Sequence, residues 1–308
     1  METRRLGALE VSVVGLGCNN FGMRMDEQQT ARVVHAALDA GITLFDTADS
    51  YGRTDSERFL GKALGAHRDD VVIATKFASP IDSDESHRGA SARWVKEAVD
   101  GSLRRLATDH IDLYQQHFPD ASVPIEETLG ALNGLVQAGK VRQIGNSNFS
   151  GEQIDEAAAT SDEHGWAGFV SAQNYLNLLE RGPLTDVLPA CERNGLGQLP
   201  YFPLASGLLT GKYKRGEPPP PGTRLGSGSY WEQFLTDANF DLVERLAAFA
   251  ESREHTILEL AFAWLLAQPA MASVIAGATK PEQVAANVAA ADWQLTKDDL
   301  TEIDELFA

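Results

Sequence analysis

Eight short runs rich in β-branched and apolar residues recur along the chain, each followed by a longer amphipathic stretch, and this alternation restricts the available folds more than any other feature. The runs are VSVVGLG (11–17), ITLF (42–45), VVIATK (71–76), IDLYQQH (111–117), VRQIGNS (141–147), FVSAQN (169–174), LGQLPYF (196–202) and ASVIAG (272–277),. Successive starts usually lie about thirty residues apart, the length of one parallel strand, its crossover helix and two loops. Between the runs, DEQQTARVVHAALDA opens with an acid-rich turn and stops at Gly41. ARWVKEAVDGSLRRL places Trp94, Val95, Ala98, Val99, Leu103 and Leu106 at helical spacing, and IEETLGALNGLVQA follows Pro124 and stops at Gly139,. Eight such units with apolar strands predict an α/β fold, a (β/α)8 TIM barrel.

A doubly wound sheet shares the alternation but needs G-x-G-x-x-G in its first βα loop. GLGCNNFG has glycines at 15, 17 and 22, so the third is out of register,. GLLTGKY (207–213) is no phosphate loop either: three residues separate its glycines, and Tyr213 follows the lysine,. The N-terminal TRRLGALEVSVV alternates around a glycine turn, which predicts a β-hairpin plugging the bottom of the barrel,. A long loop after strand 7, residues 214–241, is crowded with proline, glycine and serine,. Tyr230, Trp231 and Phe234 make it a candidate lid over an apolar ligand,. A chain of 308 residues could hold two domains, but the continuous repeat predicts one barrel domain over 1–308,.

Lysine and arginine number 26 against 44 acidic residues, a net charge of −18, which argues against binding a nucleic-acid backbone,. Cys18 and Cys191 are too few for a disulfide framework or a zinc cluster and read as reduced thiols, so a cytoplasmic location is expected,. No run approaches the roughly 18 apolar residues of a membrane span, and the charged N-terminus lacks a signal core. The seven histidines form neither H-x-H nor H-E-x-x-H, so no metal is expected,.

In barrels of this kind, chemistry gathers at the C-terminal ends of the strands. Strand two ends in Asp46 with Tyr51 in its loop, strand three in Lys76 and strand four in His117. Each has a plain structural reading: a turn cap, half-buried packing, a solvated strand end, a core histidine. Their joint placement on three successive strand ends points instead to a catalytic constellation.

The ordered stretches GLGCNNFG, GITLFDTADSYG with SERFLGKAL, VVIATKF, RRLATDHIDLYQQHFPD, GKVRQIGNSNFS, AQNYLNLLER, PLASGLLTGKY and GATKPEQVAANV cover nearly the whole chain. In them the chain resembles the aldo-keto reductases, whose Asp, Tyr, Lys and His tetrad falls on Asp46, Tyr51, Lys76 and His117. Elementary chemistry suits these roles. Hydride addition to a carbonyl builds charge on oxygen, so a proton donor and an oxyanion partner are needed. Tyr51 can be the acid, with Lys76 expected to lower its pKa from about 10 and Asp46 to anchor Lys76. His117 would orient the carbonyl as a neutral ring or assist proton transfer.

No side chain donates hydride, so a nicotinamide cofactor is required. The resemblance implies that Ser147, Asn148 and Gln173 bind its carboxamide and that Tyr201 stacks on its ring. It further implies contacts from Asn19 and Phe202, and a pyrophosphate wrapped by the 203–212 segment through Pro203, Leu204, Ser206, Gly207, Leu209 and Lys212. The adenosine end would lie at the helix opened by GATKPEQVAANV, near Gly277, Lys280, Gln283 and Asn287. Gly277 and Gln283 stand where many members carry lysine and arginine, which leaves Lys280 to meet a 2′-phosphate, so NADP is the expected cofactor, with NADPH preferred over NADH.

The leading expectation is NADPH-dependent reduction of a small-molecule carbonyl substrate. Two alternatives remain: a Schiff-base aldolase using Lys76, and a non-catalytic nicotinamide-sensing subunit, since the resembling family includes channel-associated β subunits. Phe21, Phe77, Phe118 and Trp231 are candidate pocket walls that would favour an apolar or aromatic carbonyl,.

Overall fold

A computed structural model describes residues 1–226 and 233–307. Tyr230 and Trp231 lie outside the described residues, and the readings of them as lid and wall go with them. Strands β1 (Thr3–Leu6) and β2 (Leu9–Ser12) pair antiparallel as the predicted hairpin. The barrel strands are β3 (Val14–Gly17), β4 (Leu44–Asp46), β5 (Val72–Phe77), β6 (Ile111–Gln116), β7 (Val141–Ser147), β8 (Phe169–Gln173), β9 (Gly197–Gln198) and β10 (Val274–Gly277). They form one eight-stranded parallel sheet in the order β10-β3-β4-β5-β6-β7-β8-β9. The seam between β9 and β10 closes where Gln198 N donates to Ala270 O (2.7 Å) and Ala272 N donates to Gln198 O (3.0 Å).

The predicted first strand, 11–17, is two strands. Ser12 ends the hairpin, its Oγ donating to Val14 O (2.7 Å), and Val14 begins the barrel. Both halves are buried, so hydrophobicity carries no mark of the break. Strand seven is shorter than predicted. Pro200 has no N–H for a ladder, and Tyr201 rejoins the sheet edge beyond it through its N–H to Asn174 O (3.0 Å).

The helices between strands are α1 (Glu27–Asp39), α2 (Asp55–Leu64), α3 (Ala92–Leu106), α4 (Ile125–Gln137), α5 (Gly151–His164) and α6 (Val187–Asn194). Among the described residues α7 (Asp237–Glu251), α8 (Ile257–Leu266), α9 (Pro281–Ala289) and α10 (Lys297–Glu305) follow. The acid-rich opening of α1 is a capping box between Asp26 and Gln29, and Ser150–Gln153 and Thr256–Glu259 start α5 and α8 in the same way,. The end of the predicted 214–241 loop is thus helical, and Phe234 packs on the core ahead of α7.

The hairpin sits under the barrel. Leu6, Leu9 and Val11 bury themselves against Leu44, Ala74, Leu113 and Leu199. A Cβ on Gly197 would approach Leu6 Cδ1 to 2.4 Å, so that position on β9 must stay bare for the plug to seat. With the bottom sealed by apolar packing, ligand access is left to the opposite end. Among the described residues no helix is long and apolar enough to cross a membrane.

Candidate active site

A cavity of about 650 Å³ opens at the C-terminal ends of the strands. Asp46, the last residue of β4, is at its floor, and Lys76 on β5 lies directly beneath with no solvent exposure. The Lys76 ammonium donates to both oxygens of Asp46 and to Thr47 O, each at 2.8 Å, and its side chain also interacts with that of Tyr51,. Burial pulls the ammonium down, but Asp46 and then Tyr51 overcome this, and its pKa stands above the ordinary lysine value.

Tyr51 reaches the cavity from a turn closed by its N–H to Ala48 O (3.2 Å). Gly52, Arg53 and Thr54 all have positive φ (59°, 56° and 78°), folding the chain back into α2. Only glycine fits at 52, where a Cβ would stand 2.4 Å from Phe21 O,. The Lys76 Nζ is 5.1 Å from the Tyr51 ring centroid. The expected lowering of the phenol pKa does not result. Burial raises it, the Lys76 ammonium offsets only part, and the net direction is upward from 10,.

His117 follows β6 and packs edge-on to Tyr51, ring centroids 5.7 Å apart. Burial, then Lys76, pulls its pKa down to about 3, so the imidazole is neutral at physiological pH. Ser79 Oγ meets its Nδ1 at 3.0 Å. Phe118 stacks on it at 4.8 Å and is 49% exposed on the cavity rim. Phe21 and Phe77, expected as walls, are instead fully buried in the core, Phe77 stacked on Tyr114.

A layer of side chains inside the barrel supports Asp46. Gln173 Nε2 donates to Asp46 Oδ1 (2.9 Å), Gln115 Nε2 approaches the same oxygen (3.5 Å), and Ser171 Oγ donates to Gln115 Oε1 (3.1 Å). Gln115, Gly145, Ser171 and Gly197 are register partners on neighbouring strands. A Cβ on Gly145 would lie 2.0 Å from Ser171 Oγ, so glycine makes the room for this chain. Gln173, expected as a cofactor ligand, therefore has one amide proton engaged with Asp46, which leaves its oxygen and its second amide proton to offer a cofactor,. Asn148 donates to His117 O (2.9 Å) and Ser147 Oγ (3.1 Å) and accepts from the Tyr201 hydroxyl (2.8 Å).

From Tyr201 onward the chain wraps the cavity. Phe202, Ala205, Ser206 and Gly207 all have positive φ. A Cβ on Gly207 would stand 2.6 Å from Lys212 Nζ, so the lysine folds back over a bare backbone turn. Ser206 Oγ is buried at the cavity with no partner among the described residues. Pro203 and Leu204 also line it, whereas Leu209 is fully buried in the core. At the far end Gly277, Thr279, Lys280, Gln283 and Asn287 line the cavity. Gln283 Oε1 accepts from Thr279 N (2.7 Å) and Oγ1 (3.1 Å), which ties the start of α9 to its turn.

The sequence reading missed two cations. Arg224, in the proline-rich segment, donates to Asn19 Oδ1 (3.4 Å) and Asn20 Oδ1 (3.1 Å) and lies 5.3 Å from the Phe202 centroid. Arg24 donates to Gly222 O (2.6 Å), so the segment bridges the cavity. An arginine in a stretch otherwise judged by its aromatic residues was the available signal. Arg24, Lys212, Arg224 and Lys280 line the cavity, against the single carboxylate of Asp46 among the described lining residues. This cationic lining, the orphaned Ser206 hydroxyl and the bare turn at Gly207 fit an elongated anionic group such as a dinucleotide. Among the described residues no cluster of three or more His, Cys, Asp or Glu is placed to hold a metal ion.

Known proteins share this arrangement of sequence. Aldo-keto reductase YhdN of Bacillus subtilis is 37% identical over 305 residues, covering 97% of this chain and 90% of the relative. A soybean (Glycine max) protein named "Probable aldo-keto reductase 1" is 36% identical over 96% of this chain and 85% of the relative. A protein of Arabidopsis thaliana named "Probable voltage-gated potassium channel subunit beta" is 34% identical over 95% of this chain and 92% of the relative. The family model described as Aldo/keto reductase family matches residues 13–308, and the chain, a (β/α)8 barrel, belongs to that family.

Proposed function

We propose that this protein reduces aldehydes or ketones to alcohols with NADPH, with Tyr51 as the proton donor. The observation that carries the reading is the buried group at the cavity floor: an ammonium locked to a carboxylate beneath a phenol, with a neutral histidine beside it. Bound in the cavity, a reduced nicotinamide supplies the hydride that no side chain can. Ser147, Asn148, Gln173 and Tyr201 would hold its nicotinamide end, Ser206, Gly207 and Lys212 its phosphates, and Lys280, Gln283 and Asn287 its adenosine.

Tyr51 gives its proton to the carbonyl oxygen as charge builds there. Its raised pKa keeps it protonated through the physiological range, so the acid form is always ready for reduction. The phenolate left after donation is stabilised by Lys76, whose charge Asp46 secures. His117, with a pKa of about 3, is neutral and acts as a hydrogen-bond donor to the carbonyl, not as the acid,. In oxidation the same phenolate is the base, which favours that direction at high pH.

The aldolase reading loses its support here: a Schiff base needs a neutral amine facing the substrate, whereas Lys76 is fully buried and paired with the Asp46 carboxylate, which raises its pKa,. A nicotinamide-sensing subunit keeps one supporting observation, the relatives named as potassium channel β subunits. Steady-state oxidation of NADPH by an aromatic aldehyde separates the two. Turnover of about 1 per second or faster is expected of the enzyme, and tight NADPH binding with negligible turnover would favour the sensor. In the same assay Lys280→Met should raise KM for NADPH about tenfold and leave KM for NADH unchanged, through loss of one charged contact.

A further inference from the structure

We infer that Ser79 is a positioning residue that sets the tautomer of His117, placing the ring proton on Nε2, toward the cavity. Ser79 lies three residues beyond Lys76, and nothing in the sequence marks it. It is 8% exposed, and its Oγ is 3.0 Å from His117 Nδ1.

The backbone is bent to bring it there. Ala78, between the end of β5 and Ser79, has φ of 86°, a left-handed conformation unfavourable for alanine, and its carbonyl is held by Gly89 N (2.9 Å),. The neighbouring tie is also to His117, whose own N–H donates to Phe77 O (2.9 Å). Phe77 at the end of β5 and Ser79 two residues beyond it therefore hold both the backbone and the ring of one histidine.

The sense of the Ser79 bond follows from what each group can do. A neutral imidazole carries one proton, on either nitrogen. If it sat on Nδ1, that N–H would donate to Ser79, and the serine proton would have no acceptor among the described residues. If Ser79 donates to a bare Nδ1, the proton is on Nε2, the ring nitrogen left to the cavity that His117 lines. Only this form can donate to a substrate oxygen; its alternative would turn a lone pair toward developing negative charge.

The role rests on the carbonyl-reductase reading, but the tautomer can be read without activity. The experiment is a long-range ¹H–¹⁵N correlation on histidine-labelled enzyme, with His117 assigned by loss of its signals in His117→Gln. The expected spectrum has a bare Nδ1 and a protonated Nε2 in the wild type and a mixture of tautomers in Ser79→Ala. Ser79→Ala should also lose about tenfold in kcat, the worth of one hydrogen bond, with KM for NADPH unchanged. Ser79→Thr should restore both the spectrum and the rate. A wild type protonated at Nδ1, or a Ser79→Ala spectrum identical to the wild type, overturns the inference. A wild type with the Nε2 proton but no turnover of any aldehyde would sink the reductase reading and leave the tautomer assignment standing.

Discussion

Burial moves Tyr51 and His117 in opposite directions, and both end up neutral. The phenol rises because its anion is poorly solvated, and the imidazole falls because its cation is, with Lys76 adding repulsion,. For His117 this links pH to stability. An unfolded histidine takes up a proton near pH 6.5, at about its ordinary value, whereas the folded one waits until about 3,. Between those values the unfolded chain binds more protons, so the contribution is whole above about 6.5 and is lost as pH falls toward 3. Urea unfolding at about pH 7 and pH 5 should show the wild type losing about 2 kcal/mol more than His117→Gln. The sequence reading placed both residues on one rim but had the phenol shift reversed. Residue types name the neighbours; the shift depends on how much water they displace, which requires the packed barrel. Gln173 was legible as a site residue for the same reason that its bond to Asp46 was not: the strand end can be read along the chain, the partner across the barrel cannot.

At the scale of elements, the Tyr51 turn rests on a second buried ion pair. Glu57 on α2 is fully buried, accepts from Thr75 Oγ1 on β5 (2.6 Å) and from Arg105 Nε on α3 (2.6 Å), and so pins the helix that follows the turn. Asp49, in the same turn, is 1% exposed, and burial, then Glu57, pushes its carboxyl well above the ordinary carboxylate value. Arg105→Leu would remove the cation that faces buried Glu57 and should cost about 3–5 kcal/mol in urea unfolding, while Glu57→Gln added to it should recover most of the loss,. An unchanged midpoint in Arg105→Leu would show that α2 is held by other contacts. Element type and order were legible because period and caps are local, as in the Asp26–Gln29 box. The break at Val13 and the early end of β9 at Pro200 were harder. The first is a change of direction within a uniformly buried run, and the second depends on which strand needs the missing N–H.

Across the whole molecule, a chain of net charge −18 nonetheless lines its cavity with four cations, Arg24, Lys212, Arg224 and Lys280, brought together from separate stretches of sequence. The eightfold repeat made the barrel legible, and with it the end where chemistry belongs. The bridge over the cavity was not, because Arg224 finds Asn19 and Asn20 only after some two hundred residues of chain have closed the barrel. The central claim concerns the proton: hydride can be delivered to a carbonyl in this cavity only if Tyr51 protonates the oxygen. Single-turnover oxidation of bound NADPH by an aromatic aldehyde, run on wild type and Tyr51→Phe beside quenching of tryptophan fluorescence by NADPH, tests it. The account predicts unchanged NADPH affinity and a transfer rate lowered by about 10² to 10⁴ in the variant. A variant that binds NADPH as tightly and transfers hydride as fast as the wild type would contradict it.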